Sequence, residues 1–328
     1  MSSTEVRLPG VPSHDGQRKG RGERAVVPDM DVRTYYDRPV IKPPTWKHWI
    51  AEYFFLGGLA AGSSVLGFGA SRTGRRKLAR RAKVSATGAI AMGAVALIVD
   101  LGRPDRFHHM LRVAKPTSPL NVGSWILGVY GPATGVAALS DLLGVMPAIG
   151  TAAETVAALT APAVATYTAV VASDTAVPAW HEAHDMLPFV FASGAAASAG
   201  ALGMLLAPAG ENGPAVRMTV LGAVGEVVIM KVLERRLGEL GEPYHQGKAG
   251  MLSKAALACT AAGAAIAGAR GARKRGAAML GGGLVFAGAL LERFAVLEAG
   301  KQSASDPKYV VKPQRARLAA RTAGEPEA

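Results

Sequence analysis

The stretch LPFVFASGAAASAGALGMLLA, residues 187–207, runs 21 residues without a Lys, Arg, Asp or Glu. A soluble helix of that length needs a polar face recurring at helical spacing, and this one has none. About 20 apolar residues is the length that crosses the roughly 30 Å hydrocarbon core of a bilayer. Residues 122–139 likewise lack a charged face. Both segments read as membrane spans, not as layers of an Ala-rich soluble helical repeat.

Seven more runs are apolar, interrupted only by Glu52 in 49–70 and by Arg217 and Glu226 in 215–229. With residues 187–207 as the fifth, the set is 49–70, 84–99, 122–139, 155–172, 187–207, 215–229, 255–269 and 277–291. Several are short for a full crossing, so their flanks must extend the helices. The fourth and seventh are the weakest, because Ala-rich runs insert less readily than Leu-rich ones. The predicted fold is all-α: a polytopic eight-helix transmembrane bundle over residues 46–298. Residues 1–45 form a polar, Pro-rich tail expected to be flexible, and 299–328 a basic C-terminal tail. Gly58 and Gly62, four apart in the first run, predict close helix packing.

The whole chain agrees with this reading. Of its 328 residues 49% are hydrophobic and 19% charged, and the charges crowd into tails and short connections. That disfavours a secreted scaffold, a disordered protein and a nucleic-acid enzyme. The net charge of +13 would suggest nucleic acid in a soluble protein. Here the basic residues flank apolar runs, where loop retention and anionic headgroups account for them. The one cysteine, Cys259, lies in an apolar run. Alone it makes no internal disulfide and holds no iron–sulfur cluster. No apolar segment precedes the first run, so insertion is expected to use that run itself.

Eight crossings would put both tails on one side, with loops 102–121, 173–187 and 234–250. Loops 71–83, 140–152, 208–214 and 270–276 would lie opposite. His48, His108, His109, His181, His184 and His245 then share the tail side with Trp46, Trp49, Trp125 and Trp180. Glu52, Asp100, Arg103, Asp105, Asp174, Glu182 and Asp185 fall there too, and His14 lies in the tail itself. Loop 71–83 carries seven Lys or Arg, and loop 270–276 carries Arg270, Arg273, Lys274 and Arg275. Short loops dense in basic residues are normally cytoplasmic, which places the tails outside. The tail side has basic residues of its own, among them Arg103, Arg106, Arg112 and Lys115.

Candidate chemistry sits near that side. Glu52 follows His48 by four residues, so the two share a helix face. They could bind a quinone headgroup and exchange its protons, or His48 could sit at the headgroup interface with Glu52 paired to a cation. Asp100 and Arg103 flank the turn Asp100-Leu101-Gly102-Arg103-Pro104, as a structural ion pair or as the lining of a headgroup pocket. Trp125 is an interfacial anchor or a pocket wall. Tyr130 and Tyr167 either donate to a quinone carbonyl or have protein partners. The segment 181–185, His-Glu-Ala-His-Asp, lacks the spacing of a zinc protease. No histidine lies deep in a run, which argues against haem, and no metal ligand set is expected. Glu226 is the deepest charge, and a mid-membrane carboxylate is a candidate for a proton path.

Several segments together resemble the NrfD-like family, the membrane subunits of polysulfide reductase and related molybdopterin oxidoreductases. They are Glu52-Tyr53-Phe54-Phe55-Leu56-Gly57-Gly58-Leu59-Ala60-Ala61-Gly62, Asp100-Leu101-Gly102-Arg103-Pro104, 118–125, Tyr167-Thr168 and 187–194. The resemblance covers about residues 45–298. It implies a haem-free helical bundle that passes electrons between a menaquinone-type quinone and a ferredoxin-like iron–sulfur subunit. That subunit in turn joins a molybdopterin catalytic subunit. The resemblance also implies a quinone site on the tail side, with His48 in the position of a family histidine. Glu52, Asp100, Tyr130 and Tyr167 are the next choices. The distal half resembles the membrane anchors of actinobacterial formate dehydrogenases. The long Pro-rich N-terminal tail departs from short-tailed members.

The leading expectation is therefore a quinone-reactive anchor in the cell membrane. The alternative is a proton- or ion-translocating, transporter-like subunit, for which the halves show no convincing inverted repeat. A pure scaffold would make His48 and Glu52 dispensable.

Overall fold

The computed structural model describes residues 39–323. Every apolar run is helical over nearly its whole length, because backbone polar groups in lipid must be satisfied within the segment. Helix α1 spans His48–Arg72, α2 Arg76–Asp100, α3 Pro119–Leu143 and α4 Pro147–Ser173. The short α5 (Pro178–His181) precedes α6 (Leu187–Leu206), α7 (Gly213–Leu237) and α8 (Gly247–Ile266). Then come α9 (Arg275–Ser305) and α10 (Lys308–Ala323). Five of these helices place a proline in their first two positions, where its missing N–H costs nothing. The flanks recruited into helix include charged ones, such as Arg76–Lys83 before the second run.

Among the described residues, seven helices are long and apolar enough to cross a membrane: α1, α2, α3, α4, α6, α9, and α8 with its continuation to Gly271. The exception among the expected eight is α7. It is as long as α1, but Arg217, Glu226, Lys231 and Glu234 interrupt its apolar character. The two Ala-rich runs expected to be weakest both qualify.

Small residues allow close helix crossings. Added side-chain carbon at Gly58 would meet Ala195 of α6 at 3.2 Å, and at Gly62 it would collide with Ala195 and Ala199. The glycine pair read in the sequence thus lets the α1 and α6 backbones approach.

The two ends of the bundle differ. At one, Trp46 stacks on the fully buried Trp180 with ring centroids 5.0 Å apart. The Trp180 indole N–H donates to the Val296 carbonyl at 2.8 Å. Arg236 pairs with Asp185 at 2.8 Å, and the pairs of Lys308 with Glu242 at 2.6 Å and of Arg317 with Glu182 at 3.3 Å tie α10 across this end. At the other end the links are basic. Arg80 meets Asp141 at 3.0 Å, Lys83 meets Glu154 at 3.4 Å, and Arg275 donates to the Met204 and Ala207 carbonyls at 2.8 Å. We call these the aromatic and basic ends.

Candidate functional site

At the aromatic end, α1 to α4 leave a cavity of about 200 Å3 between them. Its wall follows helical spacing on every side: Ile50, Tyr53 and Phe54 on α1, and Leu97 and Asp100 with the adjoining Leu101 on α2. Helix α3 adds Leu120, Gly123, Ser124 and Leu127, and α4 adds Tyr167, Thr168 and Val171. These are i, i+3, i+4 stripes, the faces by which neighbouring helices meet. Trp46 and Met110 complete the lining. Met110 belongs to a 3-10 segment, Pro104–Leu111, between α2 and α3.

The polar groups of this apolar space are few. The hydroxyls of Tyr53 and Tyr167 are buried and have no hydrogen-bond partner. A buried hydroxyl without a partner is costly, on the order of 1–3 kcal/mol, and marks a place where a ligand or water completes the structure. Asp100 is partly buried at the wall and forms no ion pair among the described residues. Gly123 gives the Tyr167 ring its place, since a β-carbon there would overlap the ring.

Two of the residues singled out from sequence, Asp100 and Tyr167, line this cavity. The others do not. His48 and Glu52 share a face of α1, as their spacing requires. At roughly 100° per residue that face lies about half a turn from the one carrying Ile50, Tyr53 and Phe54. His48 is exposed with its ring against Trp49, and Glu52 is half-buried without a partner among the described residues. Tyr130 is fully buried, and its hydroxyl lies 2.7 Å from that of Ser64, deeper between α1 and α3. Trp125 is 47% exposed and donates to the Val113 carbonyl at 3.2 Å, pinning the loop before α3. Arg103 is exposed and makes no pair with Asp100. Gly102, at φ 69°, turns the chain between them. His14 lies outside the described residues.

Tyr53 is the cavity residue that sequence reasoning missed. The available signal was the stripe Ile50, Tyr53, Phe54, which is wholly apolar or aromatic and so drew less notice than the charged stripe beside it.

A second polar group lies in the other half of the bundle. Glu226 of α7 and Arg293 of α9 are both buried, 3.6 Å apart at their nearest atoms. The Arg293 guanidinium also covers the Phe191 ring at 4.1 Å and donates to the Phe191 carbonyl at 3.2 Å. Glu292 is buried next in sequence. A small crevice lined by Glu226, Lys231, Glu234 and Glu292 continues toward the aromatic end. There the buried Glu234 meets Lys231 at 2.7 Å and His245 at 3.7 Å. Neither Glu226 oxygen has a hydrogen-bond partner. No cluster of three or more His, Cys, Asp or Glu suited to a metal occurs among the described residues.

The sequence pattern of the family described as "Polysulphide reductase, NrfD" matches residues 40–304, and the chain belongs to that family. Curated proteins yield no match to the chain.

Proposed function

We propose that this member of the NrfD family is the quinone-reactive membrane anchor of a molybdopterin oxidoreductase. It would exchange electrons between an iron–sulfur partner subunit and a menaquinone-type quinone. The observation that carries the proposal is the pair of buried, unpartnered hydroxyls of Tyr53 and Tyr167, two residues that line a mostly apolar cavity. A quinone ring has flat apolar faces and two carbonyl acceptors. Tyr53 and Tyr167 have the donors, and Ile50, Phe54, Leu97 and Leu127 have the apolar surface. The cavity is smaller than the roughly 300–1,000 Å3 of drug-sized sites, which suits a headgroup whose tail stays in lipid.

A bound quinone would supply the two-electron, two-proton redox chemistry. The chain's own contribution is to hold the ring, exclude water and move protons. Tyr53 and Tyr167 donate hydrogen bonds and fix orientation. The Asp100 carboxylate, at the wall, accepts or releases the proton. His48 and Glu52 would exchange protons at the aqueous boundary without touching the ring. Arg103, Trp125 and Tyr130 take supporting places around the site. In the same proposal α7 is the eighth crossing, the basic end is cytoplasmic, and the iron–sulfur subunit docks at the aromatic end, close to the cavity. Formate is the primary substrate of the complex, on the resemblance of the distal half.

The test is Asp100→Asn in the assembled complex. Quinone-linked oxidation should fall at least tenfold while dye-linked activity of the catalytic subunit stays intact. Loss of both together, or of neither, defeats the proposal.

The buried Glu226–Arg293 group favours one second reading, proton translocation through the distal half. Reconstituted vesicles carrying Glu226→Gln would then keep electron transfer and lose the pH gradient it drives.

A further inference from the structure

At the basic end a cavity of about 780 Å3 opens between the α1–α2 turn and the α3–α4 turn. Five cations line it: Arg72, Arg76, Lys77, Arg80 and Lys83. Two carboxylates face them, Asp141 and Glu154. Arg80 and Lys83 are engaged with those carboxylates, Arg80 with Asp141 at 3.0 Å and Lys83 with both at 3.7 and 3.4 Å. Glu154 also accepts from the Ser71 hydroxyl at 2.6 Å. Arg76 and Lys77 make no ion pair among the described residues, and Arg72 has only the Phe68 ring at 4.1 Å and Thr155 at 3.5 Å. Three positive charges thus remain unmatched around a space large enough for two phosphate groups.

The surroundings decide what kind of anion belongs there. Beside the lining residues Ser140, Asp141 and Pro147, the chain exposes Leu139, Leu142, Leu143, Met146 and Ile149. Leu143 and Met146 are 69% and 67% exposed. A soluble phosphate has no use for such a surface, whereas acyl chains below a charged headgroup would cover it. Clustered Lys and Arg beside the ends of membrane helices are suited to acidic lipid headgroups.

We propose that this cavity is a specific site for the headgroup of a phospholipid bearing two phosphodiesters. Arg72, Arg76 and Lys77 bind the phosphates, while Arg80, Lys83, Asp141 and Glu154 hold the cavity open. The proposal is independent of the quinone cavity, which lies at the opposite end of the same helices.

The experiment uses the full chain in a neutral detergent. Tetraoleoyl cardiolipin, dioleoyl phosphatidylcholine or inorganic pyrophosphate is added, and native mass spectrometry counts what stays bound. The wild-type protein should retain cardiolipin over phosphatidylcholine by about tenfold or more, and Arg76→Gln/Lys77→Gln should lose about tenfold of that retention. Pyrophosphate should not displace the lipid. Undiminished retention by the variant overturns the proposal. So does displacement by pyrophosphate, which would mark a site for a soluble anion. Thermal melting of both proteins without lipid controls for folding. If the double variant does not fold, Lys77→Gln alone should lose about threefold, and no loss there overturns the proposal equally.

Discussion

The rings of Tyr53 on α1 and Tyr167 on α4 lie with centroids 6.5 Å apart at 65° to one another, and neither buried hydroxyl has a hydrogen-bond partner. Two helices thus bring two donors to one apolar space without satisfying either. Such an arrangement stays stable when something else supplies the acceptors.

Removing those hydroxyls separates binding from stability. Tyr53→Phe and Tyr167→Phe should each raise KM for a menaquinone analogue about threefold to tenfold, the worth of a neutral hydrogen bond (about 0.5–1.5 kcal/mol). Neither should lower the melting temperature in detergent, because no protein partner is lost. Tyr130→Phe is the contrast. It breaks the 2.7 Å contact with Ser64 and should cost about 1 kcal/mol of stability, with little effect on KM.

Gly123→Ala tests the cavity's shape. The new methyl overlaps the Tyr167 ring, so the ring must swing into the cavity or α3 must move away from α4. Overpacking of this kind costs about 1–3 kcal/mol. Quinone-linked activity should fall well beyond the effect of Tyr167→Phe. Equal effects of the two changes would show that the ring's position is unimportant.

The buried pair in the distal half should behave asymmetrically. Arg293→Met leaves Glu226 buried without its cation and should destabilise by about 3–5 kcal/mol, read from thermal melting. Adding Glu226→Gln should recover a large part of that loss. A double-mutant cycle with no coupling would mean the pair is held by surrounding packing alone.

The docking of α10 should depend on pH. Hydrogen bonds from Lys308 and Tyr309 hold the Glu242 carboxyl below its ordinary value, and Glu242 in turn raises the Lys308 ammonium above its own. The lowered carboxyl gives a contribution fully present above the free carboxylate value of about 4.3, lost as pH falls through the folded value. The raised ammonium gives one present below about 10.4, lost as pH rises through its folded value. Hydrogen-exchange protection in residues 308–323, taken relative to the intrinsic rate at each pH, should therefore be greatest between these limits and fall in acid. In Glu242→Gln the acid-side fall should disappear and protection should already be lower at neutral pH.

Much of the architecture was legible because lipid leaves little choice. A run such as 187–207 must satisfy its own backbone, so length and absence of charge locate the helix. The ends were harder: Arg76–Lys83 looked like a loop, yet these residues continue α2, since long basic side chains tolerate a helix end at the boundary. Helix α7 was harder for the opposite reason. Its charges lower its hydropathy, and only the fold reveals that Arg293, 67 residues beyond Glu226, lies against that carboxylate. In the cavity, Asp100 and Tyr167 were accessible from their places near helix ends. His48 and Glu52 drew attention by chemistry, but helical phase turns them from the cavity, while Tyr53 carries no charge to announce it. The sequence placed Trp180 only on the tail side, whereas the fold buries it under Trp46 with its indole held by the Val296 carbonyl.

The contact between Glu226 and Arg293 also bears on how the protein is made. A ribosome delivers α7 well before α9, so the growing polypeptide holds a mid-helix acid whose counter-ion has yet to be synthesised. With α7 as the proposed eighth crossing, that helix would wait beside the insertion machinery until α9 arrives. Products truncated before residue 293 would never complete that step, and cellular quality control should clear them faster than chains cut after it.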